Sequence, residues 1–214
     1  AIYAALAEKE YIGKDELLTF RNINSNLQGH PDMNKVKGID MTTGSLGQGL
    51  SVANGMALSS KMDSMGYRVY CILGDGELDE GQVWEAAMTS AKYNLDNLCA
   101  IVDCNGLQLT GKTEDIRGMN SEDIEQKFRS FGFNTITING NDVFSILNAF
   151  GVAHMAKGKP SVIIAKTIKG KGISFMENEV SWHGKTLNDE EYKLAIEELL
   201  LKEKQIEKEM EGEV

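Results

Sequence analysis

Proline is nearly missing from this chain of 214 residues, with only Pro31 and Pro160 present, and no repeat or low-complexity stretch breaks it. A multi-domain string joined by proline-rich linkers is therefore excluded, and a single domain over residues 1–214 is expected. Cysteine is scarce too. Cys71, Cys99 and Cys104 are odd in number, lie in apolar strand-like runs and have neither CxxC nor Cys/His ligand spacing. This excludes a disulfide framework or a zinc site and predicts buried free thiols. No apolar run approaches the ~18 to 20 residues a membrane-spanning helix needs. The opening stretch Ala1–Glu10 likewise lacks a basic segment followed by a long apolar one. A soluble, cytoplasmic protein with no membrane partner is expected. An excess of basic residues is also lacking: 22 Lys and Arg against 32 Asp and Glu give a formal charge of -10, which would repel a phosphodiester backbone and argues against nucleic acid.

With 42% hydrophobic and 25% charged residues, the chain can close one sizeable core. Apolar β-type runs at Arg68–Leu73, Leu98–Asp103, Phe133–Ile138 and Ser161–Lys166 alternate with segments of helical periodicity at Asp79–Tyr93, Ser121–Phe131 and Asp142–Lys157. That alternation predicts an α/β fold: a three-layer, doubly wound, mostly parallel sheet with helices on both faces. Upstream, a helix is expected over Leu46–Met62 and a shorter one over Lys14–Asn22. Downstream, Asn188 with Glu191 three residues on forms a capping box opening a charged helix that runs towards Met210. Gly106–Asn120 and Ile168–Lys185 resist regular assignment, and in a doubly wound sheet such loops at the carboxyl ends of strands are where ligands bind.

The sharpest chemical signal is Gly74-Asp75-Gly76-Glu77, where a buried strand ends and a helix follows. Glycines flanking an acid let the backbone approach an anion, and the aspartate supplies a hard oxygen for a divalent cation bridging to phosphate. Alone, the tripeptide reads equally well as a tight strand-to-helix turn. Asn105, thirty residues downstream at the end of the next strand, raises the odds, because a strand-helix-strand unit sets consecutive parallel strand ends side by side. The Asp75 carboxylate, the Asn105 amide oxygen and a backbone carbonyl at Leu107 would form an oxygen-only set suited to Mg²⁺ or Ca²⁺ rather than zinc. As an isolated pair, Asn105-Gly106 would be an ordinary turn.

GDG, about thirty residues, then Asn is similar to the thiamine-diphosphate fingerprint. Gly74–Glu85, together with Gly29–Asp32, Thr42–Ser51, Ile168–Gly172 and Trp182–Gly184, resembles the N-terminal, diphosphate-binding region of transketolase, nearest to the form made as two separate subunits. Carried over residue by residue, the resemblance implies that Asp75, Asn105 and the Leu107 carbonyl hold the metal. It puts the backbone of Gly74 and Gly76, with Glu77, around the diphosphate. It sets Gly44 and Leu46 beside the cofactor's pyrimidine and bridging region, and Ile168 as an apolar wall for the thiazolium. His183 matches a residue contacting diphosphate and substrate, and His30 one lining the channel near the reacting carbon; His154, inside an amphipathic segment, keeps a structural reading. Glu80 matches a carboxylate cluster at the subunit interface, and Glu85 on the same helix is grouped with the cofactor set, with a solvated helix face as the competing reading for both. The resemblance implies thiamine diphosphate with Mg²⁺ or Ca²⁺, sugar phosphates as substrates, ketol transfer in the pentose phosphate pathway, a C-terminal subunit with the pyrimidine-binding domain as partner, and a dimer of heterodimers.

Two departures matter. Ser45 stands where many relatives have proline, and two upstream histidine motifs of the family, Ser-Gly-His-Pro-Gly and Lys-Gly-His, do not occur. With Ala1 rather than Met at the start, a leading segment is expected to be missing. A catalytically silent assembly or cofactor-binding partner, or another thiamine enzyme such as a deoxyxylulose-phosphate synthase, are the rival readings. A nicotinamide-binding Rossmann domain is disfavoured, because the loops after Leu73 and Asp103 lack GxGxxG.

Overall fold

The computed structural model describes residues 1–212. Two compact units divide the chain, Ala1–Leu46 and Gly47–Val214. In the first, helix α1 (Ile2–Glu8) buries Tyr3 and Ala7, one turn apart on the same face. They join a small core of Tyr3, Leu27, Val36 and Ile39, and the Tyr3 hydroxyl donates to the Gln28 carbonyl at 2.6 Å. Helix α1 was not anticipated from the sequence. The helix expected over Lys14–Asn22 is only a 3-10 turn at Asp15–Thr19 with no fully buried residue; Leu17 alone packs against the small core, too little to prolong it.

The second unit opens with α2 (Gly49–Met62), three residues later than expected, because Leu46 lies in the preceding loop. Strand β1 (Val69–Gly74) is followed by a 3-10 turn at Gly76–Asp79 and then α3 (Gly81–Lys92), so the single helix expected from Asp79 is a turn plus a helix. After β2 (Leu98–Cys104) the stretch expected to be irregular holds a hairpin, β3 (Leu107–Gln108) with β4 (Gly111–Lys112), and a short helix α4 (Thr113–Arg117). Then come α5 (Ser121–Ser130), β5 (Asn134–Asn139), α6 (Val143–Met155), β6 (Ser161–Lys166) and α7 (Asp189–Glu211). The Asn188–Glu191 capping box that the sequence predicts opens α7.

The four long strands form one parallel sheet in the order β1-β2-β6-β5. Alternation along the strands feeds two cores. Leu73, Ala100, Val102, Val162 and Ile164 pack with Leu50, Val83, Ile124 and Phe128 from α2, α3 and α5. Cys99 and Ile163, with Ile101, Ile136 and Ile138 beside them, meet Ala149 and Ala153 of α6. Helices thus cover both faces, as the sequence pattern predicts. All three cysteines are free. Burial pushes Cys71 and Cys104 up to about 12 and Cys99 up to about 11, so none is a reactive thiolate near neutral pH.

Candidate functional site at the strand tips

Parallel pairing of β1 with β2 puts Gly74 opposite Asp103, so the chain leaves both strands at the same level. Asp75 continues the ladder by donating its N–H to the Asp103 carbonyl at 3.1 Å. Its side chain is sealed, at 3% exposure. One carboxylate oxygen accepts from the Gly76 N–H at 2.9 Å and the other from the Gly106 N–H at 2.7 Å. The second bond ties the loop after β1 to the loop after β2. Asn105 shapes that second loop: its Oδ1 accepts the Leu107 N–H at 3.0 Å while Nδ2 donates to Asp103 Oδ1 at 3.4 Å. Gly106 sits at φ 75°, a left-handed conformation that disfavours a side chain. Gly76 is required sterically, since a Cβ there would fall 2.7 Å from Gln108 Cβ of the hairpin.

Burial is the largest influence on Asp75 and raises its pKa, opposed by the Gly106 and Gly76 N–H groups and by the Arg117 charge, while Asp103 adds to the rise. Arg117, at the end of α4, donates through Nη1 to the Asp75 carbonyl and lies 3.4 Å from Asp79 Oδ1. A cavity of about 240 Å³ opens beside these groups, with Asp75, Asn105, Lys112, Arg117, Ser121 and Lys166 in its wall. Glu77 is fully engaged in bracing the turn, one oxygen accepting from Gly47 N–H at 2.9 Å and the other from Gly74 N–H at 3.0 Å.

The third tip, after β6, joins the same group. Thr167 donates its N–H to the Cys104 carbonyl at 3.2 Å and its hydroxyl to Asp103 Oδ1. Ile168 follows, half-buried, its N–H held by Asn141 Oδ1 at 2.8 Å. His183 ends a 3-10 turn, Val180–His183, that packs against β3, the strand containing Leu107. Desolvation and the neighbouring Lys169 lower its pKa. Asp75, Gly76, Glu77, Asn105, Leu107, Ile168 and His183 are thus gathered at or beside one end of the sheet. Glu80, the cap residue just before α3, and Glu85 within α3 are exposed, their carboxylates outside that hydrogen-bonded group. In the first unit His30 and Gly44 adjoin, a Cβ on Gly44 falling 3.0 Å from His30 Cγ, and Leu46 is exposed. Among the described residues no three or more His, Cys, Asp or Glu cluster as metal ligands. Arg117, Thr167 and the bracing role of Glu77 were not visible in the sequence; each acts through a contact with a distant segment, and no local pattern marks them.

A parallel α/β sheet whose first two strand tips present an aspartate and an asparagine defines the class, an open α/β fold of the kind that takes ligands outside the carboxyl ends of its strands. The chain belongs to the family described as "Transketolase, thiamine diphosphate binding domain", which matches residues 3–210. It is 46% identical over 199 residues to the 6-deoxy-6-sulfo-D-fructose transketolase subunit SqwG of Clostridium sp. (strain MSTE9), covering 93% of this chain and 72% of that subunit. It is 39% identical over 212 residues to an apulose-4-phosphate transketolase subunit of Phocaeicola vulgatus, covering 99% of this chain and 74% of that one. Human transketolase is 47% identical over 188 residues, 87% of this chain but 29% of that enzyme. Among solved structures, Campylobacter jejuni transketolase superposes with a TM-score of 0.80 at 33% identity, over 86% of this chain and 30% of that one. The resemblance to transketolase subunits of the split type is borne out.

Proposed function

We propose that this chain is the diphosphate-binding subunit of a two-subunit transketolase, holding thiamine diphosphate through Mg²⁺ or Ca²⁺ while a second subunit supplies the pyrimidine-binding domain. The observation that carries this reading is the 2.7 Å bond from Gly106 N–H to the Asp75 carboxylate, which makes one unit of the two strand-tip loops bearing Asp75 and Asn105. The donors fit a hard cation. Each Asp75 oxygen accepts a single hydrogen bond among the described residues, leaving lone pairs for a ligand, and burial disfavours its negative charge unless a cation offsets it. When bound, thiamine diphosphate supplies the electron sink for cleaving the bond beside a ketose carbonyl.

The chain's own residues bind and place. Asp75, Asn105 and the Leu107 carbonyl take the cation, and the backbone of Gly74 and Gly76 faces the diphosphate with Glu77 stiffening the turn. Ile168 offers an apolar wall. His183, whose pKa desolvation and Lys169 lower, is the residue the family resemblance sets against diphosphate and substrate. Gly44, Leu46 and Glu85 as cofactor contacts, His30 as a residue of the substrate channel and Glu80 at a carboxylate cluster between subunits follow from the family resemblance. So do a dimer of heterodimers and action on sugar phosphates of the pentose phosphate pathway, moving a two-carbon ketol unit from a ketose phosphate to an aldose phosphate; the cytoplasm is proposed as its compartment. The sugar is a separate question: the named relatives include enzymes for 6-deoxy-6-sulfo-D-fructose and for apulose-4-phosphate, and a Pichia stipitis transketolase 27% identical to this chain was solved in complex with sedoheptulose-7-phosphate.

The test is reconstitution. The chain, a separately made pyrimidine-domain subunit, thiamine diphosphate and Mg²⁺ are mixed and ketol transfer is followed from xylulose 5-phosphate and a panel of other ketoses. Activity in the mixture and in neither part alone is expected; silence in every combination favours an assembly role instead.

A further inference from the structure

A guanidinium is costly to bury, and Arg117 is buried: its side chain is 7% exposed. Nη1 donates to the Asp75 carbonyl and approaches Asp79, while Nε and Nη2 have no partner among the described residues. Two unmet buried donors on a charged group work against folding, so stability alone does not account for this residue. What distinguishes it is the pair of segments it connects. The loop leaving β2 carries Asn105 and Leu107, turns through the β3–β4 hairpin and runs into α4, whose last residue is Arg117. Gly118 stops that helix in a left-handed conformation, φ 66°, with its N–H on the Glu114 carbonyl at 2.8 Å, which fixes where the arginine starts. From there the side chain reaches back across 42 residues of sequence to the backbone of Asp75.

We propose that Arg117 is a positioning residue that clamps the Gly74–Gly76 turn to the loop after β2 and so pre-spaces the Asp75 carboxylate against the Asn105–Leu107 segment for one divalent cation. The inference rests on the reading of Asp75 and Asn105 as the cation site. The clamp needs the reach of the arginine side chain, because Nη1, which meets both the Asp75 carbonyl and the Asp79 carboxylate, stands one bond further from the backbone than a lysine ammonium would.

Calorimetric affinity for thiamine diphosphate at saturating Mg²⁺, on the complete protein with its partner subunit, decides the matter. Arg117→Ala and Arg117→Lys are both expected to weaken binding by about tenfold or more, the range typical of groups that orient metal ligands. Added guanidinium restores Arg117→Ala, and Arg129→Ala, which removes an exposed ion pair to Glu125 on α5, leaves the affinity as it was. Wild-type affinity in Arg117→Ala overturns the proposal. Full affinity in Arg117→Lys also overturns it, since charge alone would then suffice, and that variant decides the case if Arg117→Ala does not fold. Asp75→Ala separates this inference from the reading beneath it. If Asp75→Ala binds like the wild type, the cation site itself is wrong; if it loses binding while both Arg117 variants keep it, only the clamp falls.

Discussion

Two aspartates at opposite ends of the same parallel sheet are held in different ways. Asp96, just before β2 at the amino edge, accepts from the Lys61 ammonium at 2.8 Å and the Gly158 N–H at 3.0 Å, and its carbonyl accepts from Arg68 at 3.1 Å. The Gly158 N–H and then the Lys61 hydrogen bond hold its carboxyl below the usual value. Asp75, at the carboxyl edge, also has two donors on its carboxylate, but both are neutral amides and the site is sealed, so burial wins and its pKa rises. At one edge a cation bonds the carboxylate directly; at the other the Arg117 guanidinium bonds only the Asp75 carbonyl, and its charge does not outweigh burial. The contrast teaches that hydrogen-bond count does not define a site, whereas the balance between burial and formal countercharge does.

The comparison can be broken from the middle outwards. The largest effect is expected from Phe128→Ala, which empties a fully buried ring packed among Trp84 and Phe133 in the core that supports both edges. A loss of about 3–5 kcal/mol by denaturant unfolding is expected, and an effect under about 1 kcal/mol would mean the core closes around the gap. Next, Asp75→Ala should reduce metal-dependent cofactor affinity by about 100-fold or more; unchanged affinity in calorimetry would refute the assignment. Asp96→Ala should do the reverse, costing about 1–2 kcal/mol of stability with cofactor affinity intact. The smallest effect is its pH dependence. A carboxyl whose folded pKa lies below the ordinary 3.8 contributes its full stability above that value and loses it as pH falls through the folded pKa. The stability gap between wild type and Asp96→Ala should therefore narrow in acid, and a gap that widens would contradict the pairing.

Much of the fold was legible. The strand expected at Ser161–Lys166 matches β6 residue for residue, because a central parallel strand buried on both faces is a continuous apolar run, and those at Arg68–Leu73 and Phe133–Ile138, where buried and more exposed positions mix, are displaced by one. The hairpin in Gly106–Asn120 was not legible. Two-residue strands carry no period, and what shapes this loop is Asn105 on its own backbone and Gly76 making room for Gln108. Glu80 and Glu85 illustrate the opposite limit: the family motif names them, yet within the described residues they are exposed acids at the start of α3 and within it, whose proposed partners would come from outside.

By itself the sequence determined the parallel α/β class, the four long strands, the Asn188 cap and the placing of Asp75 and Asn105 after consecutive strands, since each depends on local periodicity or on residues a few positions apart. Only the tertiary structure decided that Gly106 would bond the Asp75 carboxylate, that Glu77 would brace two glycine N–H groups and that Arg117 would reach the turn from α4. Those contacts join segments separated by tens of residues, and their energies depend on burial, which no local pattern of residues encodes.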